Sequence, residues 1–266
     1  MQHGILWEAT MNVLVLDLDD TLVDDIHATR ESVAQALALE NLAADSKVVD
    51  QALSHIRKMW SRHPHRHTGP LTSVSGWEAL WLPTTGSGLP TAVADSLEIH
   101  AIQVWGTILE SLRGDPGQAI AMARAFRACR RRAVRLLPGV ESGLELLGRK
   151  HRLWVATNGL PAQQRMKIAV TGLEALLDRI LISGEVGVTK AEPGFAATVG
   201  RSLRQDGQQV CLIVGDSASQ DLRLAGNGGW PAAHICPEGE CAVDTPRGVA
   251  VTHAPSLAQV SVRCDC

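Results

Sequence analysis

Apolar residues fall along this chain in two alternating textures. Val13-Leu14-Val15-Leu16 is a short apolar run bounded by polar residues, the pattern of a strand buried on both faces. From His27 to about Arg135 the apolar positions recur every three or four residues instead. Segments 28–44, 47–62, 75–82, 91–112 and 116–136 therefore predict helices, with Pro- and Gly-bearing loops at 63–70, 83–90 and 114–116. Beyond Leu137-Pro138-Gly139 the texture returns to short runs. Strands are predicted at 153–156, 180–182, 210–214, 232–235 and 249–252, and helices at 161–170, 193–203 and 219–226. That alternation predicts an α/β fold, a doubly wound parallel sheet, with an all-helical block inserted after its first strand. The predicted domains are an α/β core at 11–24 and 136–260 and a helical domain at 25–135, with tails at 1–10 and 261–266.

Composition narrows the function classes. The chain has 266 residues, 45% apolar and 20% charged, so global disorder is excluded. A net charge of −3 argues against a partner that is a nucleic-acid polymer. No apolar run reaches the ~20 residues of a membrane span. Met1 to Thr10 lacks a basic region followed by an apolar stretch, so a cytoplasmic location is expected. Reduced thiols follow for the six cysteines. The C-terminal spacing, Cys236-x4-Cys241 and Cys264-x-Cys266, is not that of a usual zinc knuckle.

Four polar constellations lie at or just beyond the carboxyl ends of predicted strands, the edge where open α/β sheets bind ligands. They are Asp17-Leu18-Asp19-Asp20-Thr21, then Thr157-Asn158-Gly159, then Lys190, then Gly215-Asp216-Ser217 with Asp221. Two carboxylates at i and i+2 after a strand can divide phosphoryl-transfer chemistry. Asp17 is placed to attack phosphorus and form an aspartyl-phosphate. Asp19 is placed to protonate the leaving oxygen and then to deprotonate the attacking water. Asp17, Asp216 and a bound phosphate concentrate negative charge, which a hard divalent cation such as Mg²⁺ would neutralise. Thr157 supplies a hydroxyl, the Asn158 and Gly159 amides could hold phosphate oxygens, and Lys190 adds positive charge.

These residues, in this order, resemble the four motifs of the haloacid dehalogenase (HAD) superfamily, over about residues 11 to 260. The position of the insertion resembles that superfamily's helical C1 cap. Thr157-Asn158-Gly159 with Gln164-Arg165 and Lys167 resembles the branch of N-acylneuraminate-9-phosphatase and YjjG-type nucleotidases; Gly76-Trp77-Glu78 resembles a cap stretch of that branch more weakly. The resemblance implies a Mg²⁺-dependent phosphatase acting on a small-molecule phosphate monoester. It implies metal ligation by the Asp17 carboxylate, the Asp19 carbonyl and Asp216, with Asp221 acting through water or behind them. Ala191 stands where the family often has Pro. A phosphomutase of the β-phosphoglucomutase type and an inactive HAD-fold binding protein are the alternatives. Asp19 weakens a dehalogenase reading, because a halide leaving group needs no proton.

Other residues carry plainer expectations. Asp20 reads as a loop residue, and Asp24 and Asp25 as hinge or helix-start residues. His63, His65 and His67 read as a solvated loop, Arg130-Arg131-Arg132 as a solvated helix face, and the tryptophans as packing. The helical domain is expected to hinge at Val23–Asp25 and Leu137–Gly139, and to set specificity through residues such as Arg57, Trp77 and Trp81. Monomer and homodimer are equally compatible with the sequence.

Overall fold

A computed structural model describes residues 12–82, 87–237 and 241–262. Cys264, Cys266 and residues 1–10 lie outside that set. Six parallel strands form one sheet: β1 (Val13–Leu16), β2 (Arg152–Thr157), β3 (Arg179–Ile182), β4 (Val210–Gly215), β5 (Ala232–Ile235) and β6 (Val251–Ala254), in the order β3-β2-β1-β4-β5-β6. Alternate residues of each strand serve opposite faces, as the pleat requires. Leu14, Leu16, Val155 and Val214 pack with Val140, Leu144 and Leu147 of α6 (Val140–Gly148) and with Ile168 of α7 (Pro161–Val170). Val13, Val15, Trp154 and Ile213 pack with Phe195 and Val199 of α9 (Pro193–Asp206) and with Leu224 of α10 (Arg223–Gly228). The strand order reverses direction between β1 and β4, so the crevice outside their carboxyl ends is the expected ligand position.

Among the described residues, five α-helices occupy the stretch between β1 and α6: α1 (Ile26–Leu39), α2 (Ser46–Trp60), α3 (Gly76–Ala79), α4 (Thr91–Ser111) and α5 (Ala119–Arg132). The chain enters and leaves this block side by side. Asp24 N–H donates to Arg135 O at 3.0 Å and Leu137 N–H donates to Leu22 O at 2.9 Å. Leu18, Leu22 and Val23 join the sheet residues Leu14 and Leu16 to Val33, Leu37, Trp105 and Phe126 of the block in one apolar cluster.

Several elements differ from the sequence reading. Helix α6 was not anticipated. Leu137-Pro138-Gly139 signals a turn, but Gly139 takes φ +78° and Val140, Leu144 and Leu147 then bury a helical stripe. Helix α1 stops at Leu39, and Asn41 follows in the left-handed region at φ +55°. The last strand lies at 251–254 instead of 249–252. Cys236 and Cys241 are joined as a disulfide, with Cα atoms 6.3 Å apart, against the expectation of free thiols. The Arg130 side chain is wholly buried while Arg131 and Arg132 are exposed, so the triplet is not a uniformly solvated face. Similarly, His63 is buried against Trp60, their rings stacked with centroids 5.1 Å apart, while His67 stays exposed.

Candidate active site

Backbone pairing fixes the first acid. Val13–Leu16 runs between β2 and β4, and the next residue, Asp17, donates its N–H to Val214 O at 2.8 Å. Its carboxylate is thereby set at the switch point of the sheet. Lys190, in the loop between α8 (Ser183–Val186) and α9, extends its ammonium to Asp17 Oδ1 and to Asp221 Oδ1, the latter at 2.7 Å. Its own N–H donates to Asn158 Oδ1 at 3.0 Å, and Asn158 Nδ2 donates to Gln220 Oε1 at 2.8 Å. Asn158 thus ties the ends of β2 and β4 to the Lys190 loop.

Asp221 sits in a π-helical turn at 218–222, and its Oδ2 accepts from Ser217 N–H at 3.0 Å. Gly215 makes room for it: a Cβ there would lie 2.2 Å from the Asp221 carboxyl carbon, closer than any side chain can come. Asp17, Asp216 and Asp221 each offer an oxygen within 4.8 Å of the others.

Three carboxylates therefore share one cation. Burial pushes the Asp216 carboxyl up to about 9, with the charges of Asp17 and Asp221 adding to the shift. Asp221 is pushed up to about 7, by burial and then by Asp17 against the opposing pull of Lys190. Burial disfavours the Lys190 charge, but Asp17 and Asp221 outweigh it and keep the ammonium protonated. A set of hard oxygen donors with surplus negative charge fits a divalent cation such as Mg²⁺.

Asp19 belongs to a different cluster. Its Oδ1 accepts from Lys167 Nζ at 2.7 Å and its Oδ2 from Gln164 Nε2 at 3.2 Å, both donors lying on α7. Lys167 Nζ also reaches Asp25 Oδ1 at 3.0 Å and Glu78 Oε1 at 3.1 Å. Asp25 further accepts from Arg130 Nη2, and from Trp77 Nε1 at 2.8 Å. Arg130 and Lys167 lie 4.7 and 5.8 Å from the centre of the Trp81 ring, within cation–π range. Burial raises the Asp19 carboxyl well above the usual range, Asp25 and Glu78 add to the rise, and Lys167 opposes it. Burial pushes Asp25 the same way, but Lys167 and Arg130 overcome it and hold that carboxyl below its ordinary value.

The remaining motif residues are placed as follows. Thr157 is buried at the end of β2 and donates to Asn158 O at 3.2 Å. The Gly159 amide, expected to hold phosphate oxygens, instead donates to Ser183 Oγ at 3.0 Å and to Ser73 Oγ at 3.2 Å. Ser73 comes from the helical block, a partner that no motif spacing could announce. Asp20 takes φ +59°, and its Oδ1 accepts from the amides of Asp25 at 3.0 Å and Ile26 at 2.8 Å, so it caps α1. Asp25 turns its side chain inward to the buried cluster.

The sequence marks Gln164, Lys167 and Glu78 only through the branch resemblance and reads Arg130 as part of a solvated face, so none of the four is placed in the site by sequence. A signal existed on α7, where Gln163, Gln164 and Lys167 put polar groups on the buried face of the helix. Polar residues on a face that must be buried mark a built hydrogen-bond site.

A family model described as haloacid dehalogenase-like hydrolase matches residues 11–229. The phosphoserine phosphatase of Thermus thermophilus is 32% identical over 219 residues, 81% of this chain and 84% of that protein. The Escherichia coli pyrimidine 5'-nucleotidase YjjG is 32% identical over 130 residues, 47% of this chain and 56% of that one. Among solved structures, the magnesium-bound HAD-hydrolase YfnB of Bacillus subtilis superposes with a TM-score of 0.62 at 15% identity, covering 93% of this chain and 96% of that chain, a likeness of fold. With the family model spanning both strand-end acid motifs and the lysine between them, and a phosphatase 32% identical over most of both chains, the chain belongs to the haloacid dehalogenase-like hydrolase family and is a phosphoric monoester hydrolase.

Proposed function

We propose that this enzyme hydrolyses small-molecule phosphate monoesters through an aspartyl-phosphate on Asp17, with Mg²⁺ as cofactor. The observation that carries the reading is the Lys190 ammonium lying between Asp17 and Asp221, with an Asp216 oxygen within 4.8 Å of theirs and no ion pair to Asp216 among the described residues. Asp17, Asp216 and Asp221, with the Asp19 carbonyl, would hold the ion. When bound, it supplies charge neutralisation that lets an anionic ester approach an anionic nucleophile.

In the first step an Asp17 carboxylate oxygen attacks phosphorus. The ester P–O bond breaks, and the departing alcohol oxygen takes its proton from Asp19. In the second step water attacks the phosphorus of the aspartyl-phosphate and gives a proton to Asp19. The acyl-phosphate P–O bond breaks, releasing inorganic phosphate and the Asp17 carboxylate. Lys190 offsets the charge of Asp17 and of the transferring group throughout, and the Thr157 hydroxyl and Asn158 amide hold phosphate oxygens.

The helical stretch at 25–135 serves in this reading as a cap domain that shields the intermediate from bulk water. Specificity rests on its residues nearest Asp19. Trp81 is wholly buried under Arg130 and Lys167, so Trp77, with the exposed Arg57 stacked 5.2 Å over its ring, is the better candidate for a substrate contact. The names of the two relatives make O-phosphoserine and pyrimidine 5'-nucleotides the first esters to try.

The test is phosphate release from a panel of esters, p-nitrophenyl phosphate included, with Mg²⁺ and with excess chelator. Turnover is expected with Mg²⁺, none after chelation, and a loss of at least about 10³-fold in Asp17→Asn. Full activity after exhaustive chelation, or more than a tenth of the rate in Asp17→Asn, would overturn the reading.

A further inference from the structure

The two oxygens of Asp19 are gripped separately, by side chains one helical turn apart on α7. Lys167 Nζ takes Oδ1 at 2.7 Å and Gln164 Nε2 takes Oδ2 at 3.2 Å. A carboxylate held at both oxygens cannot rotate freely about its last bond. Both donors also converge on a single further atom, Glu78 Oε1, at 3.1 Å from Lys167 and 2.9 Å from Gln164.

Glu78 is not on the sheet side of the molecule. It is the third residue of α3, in the helical block, and its other oxygen is already committed there. Glu78 Oε2 accepts from Ser75 N–H at 2.9 Å while Glu78 N–H donates to Ser75 Oγ at 3.2 Å, a closed capping box. Helix α3 in turn is wedged on α2: a Cβ at Gly76 would stand 3.2 Å from Ile56 and Trp60. The position of Glu78 therefore reports the position of the block, and it does so through the two side chains that hold Asp19.

We infer that Gln164 and Lys167 are positioning residues for Asp19, and that Glu78 completes their clasp when the helical block is docked. Docking of the block and alignment of Asp19 with the leaving oxygen are then one event. The inference rests on the function proposed above, in which Asp19 handles the leaving-group proton.

The physical case is one of saturated partners. Lys167 has three N–H donors and three carboxylate acceptors, Asp19, Asp25 and Glu78, with its ammonium fully buried. Loss of the Glu78 acceptor leaves a buried donor unpaired, and such a donor re-aims toward the acceptors that remain. Gln164 Nε2 divides its two N–H groups among Asp19, Glu78 and Asn158 O, the last at 3.0 Å, so it shares the same dependence. An Asp19 displaced by about 1 Å would lose about 10²-fold of its contribution. A second tie beside the site, Ser73 Oγ to Ser183 Oγ at 2.7 Å, joins the same two parts of the molecule.

The test exploits the chemistry of the leaving group. p-Nitrophenolate departs without needing a proton, whereas an aliphatic alkoxide needs one. The quantity to measure is kcat/KM, which reports the steps up to leaving-group departure. It is compared between p-nitrophenyl phosphate and the best aliphatic ester of the panel, for the wild type, Glu78→Gln, Gln164→Met, Lys167→Met and Lys167→Arg. For the first three variants the aliphatic-to-aryl ratio is expected to fall at least about tenfold. Lys167→Arg is expected to restore part of it. Equal losses on both esters, or a lowered melting temperature with an unchanged ratio, would reduce these residues to scaffolding and overturn the inference. Should Lys167→Met fail to fold, Glu78→Gln and Gln164→Met decide alone. A wild type that turns over neither ester would refute the proposed function itself, a distinct outcome.

Discussion

Two buried lysines organise this molecule, and the acids around them outnumber the cations to different degrees. Around Lys190 stand Asp17, Asp216 and Asp221, three acids against one cation. Around Lys167 stand Asp19, Asp25 and Glu78, but Arg130 adds a second cation and the Trp77 N–H and Gln164 amide supply neutral donors. The consequence is visible in the acids themselves. In the first cluster both Asp216 and Asp221 are driven upward, to about 9 and about 7. In the second, Lys167 and Arg130 hold Asp25 low against its burial, while Asp19, paired with Lys167, is still driven well above the usual range. A cluster that satisfies itself contributes to folding and sets geometry. One that carries surplus charge is destabilised until something from outside neutralises it, which is the usual condition of a working site.

This contrast predicts effects of opposite sign. Asp216→Asn removes one of three competing acids. Activity on any ester should fall about 10²–10³-fold. Stability without divalent cations should nevertheless rise, by about 1 kcal/mol. Thermal melts in chelator check this, and a lower melting temperature would mean that the Lys190 cluster is internally satisfied after all. Arg130→Met removes one of the two cations of the Lys167 cluster. It leaves Asp25 with Lys167 and the Trp77 N–H, and should cost about 3 kcal/mol. The exposed neighbour in Arg131→Ala should change stability by less than about 0.5 kcal/mol. Urea denaturation of both variants reads the difference. Equal effects would return all three arginines to the solvated face that their sequence suggests.

The same contrast explains what the sequence made legible. Two acids of the Lys190 cluster, Asp17 and Asp216, directly follow strands, and a strand end has one orientation relative to the sheet. Asp17, Thr157 and Asp216 could therefore be placed by counting along short apolar runs. The sheet was legible for the same reason: the segments at 13–16 and 232–235 coincide with β1 and β5. The Lys167 cluster draws on α1, α3, α5 and α7, whose mutual packing depends on how a whole helical block sits on the sheet. No short-range pattern encodes that. Arg130, Arg131 and Arg132 look alike in sequence, and only the packing of α5 against α1 decides that Arg130 faces Asp25. The link from the Gly159 amide to Ser73 is illegible for a related reason, since Ser73 lies 86 residues away.

A third buried group sharpens the comparison, because among the described residues no acid is paired with it. His100, on α4, is 3% exposed and lies edge-on to His63, ring centroids 4.7 Å apart, and tilted against Trp60 at 5.6 Å. His63 in turn has polar partners in Ser96, whose Oγ lies 3.3 Å from its Nε2, and in His65, whose N–H donates to its Nδ1 at 3.3 Å. Burial, with a smaller push from His63, lowers the His100 imidazole to about 4. Above pH ~6.5 the ring is neutral whether the chain is folded or not, and it has no effect on stability. As the pH falls below that value the unfolded chain takes a proton that the folded one refuses, so stability is lost progressively until the folded value is reached. Between pH 7 and pH 5 that loss is about 2 kcal/mol. His100→Gln should remove it, and the melting temperature of the variant should therefore fall less steeply than that of the wild type over this interval. Parallel melting curves would mean that a cation is accommodated at this position, and that burial without a partner is not what distinguishes the acid-rich clusters from the rest of the interior.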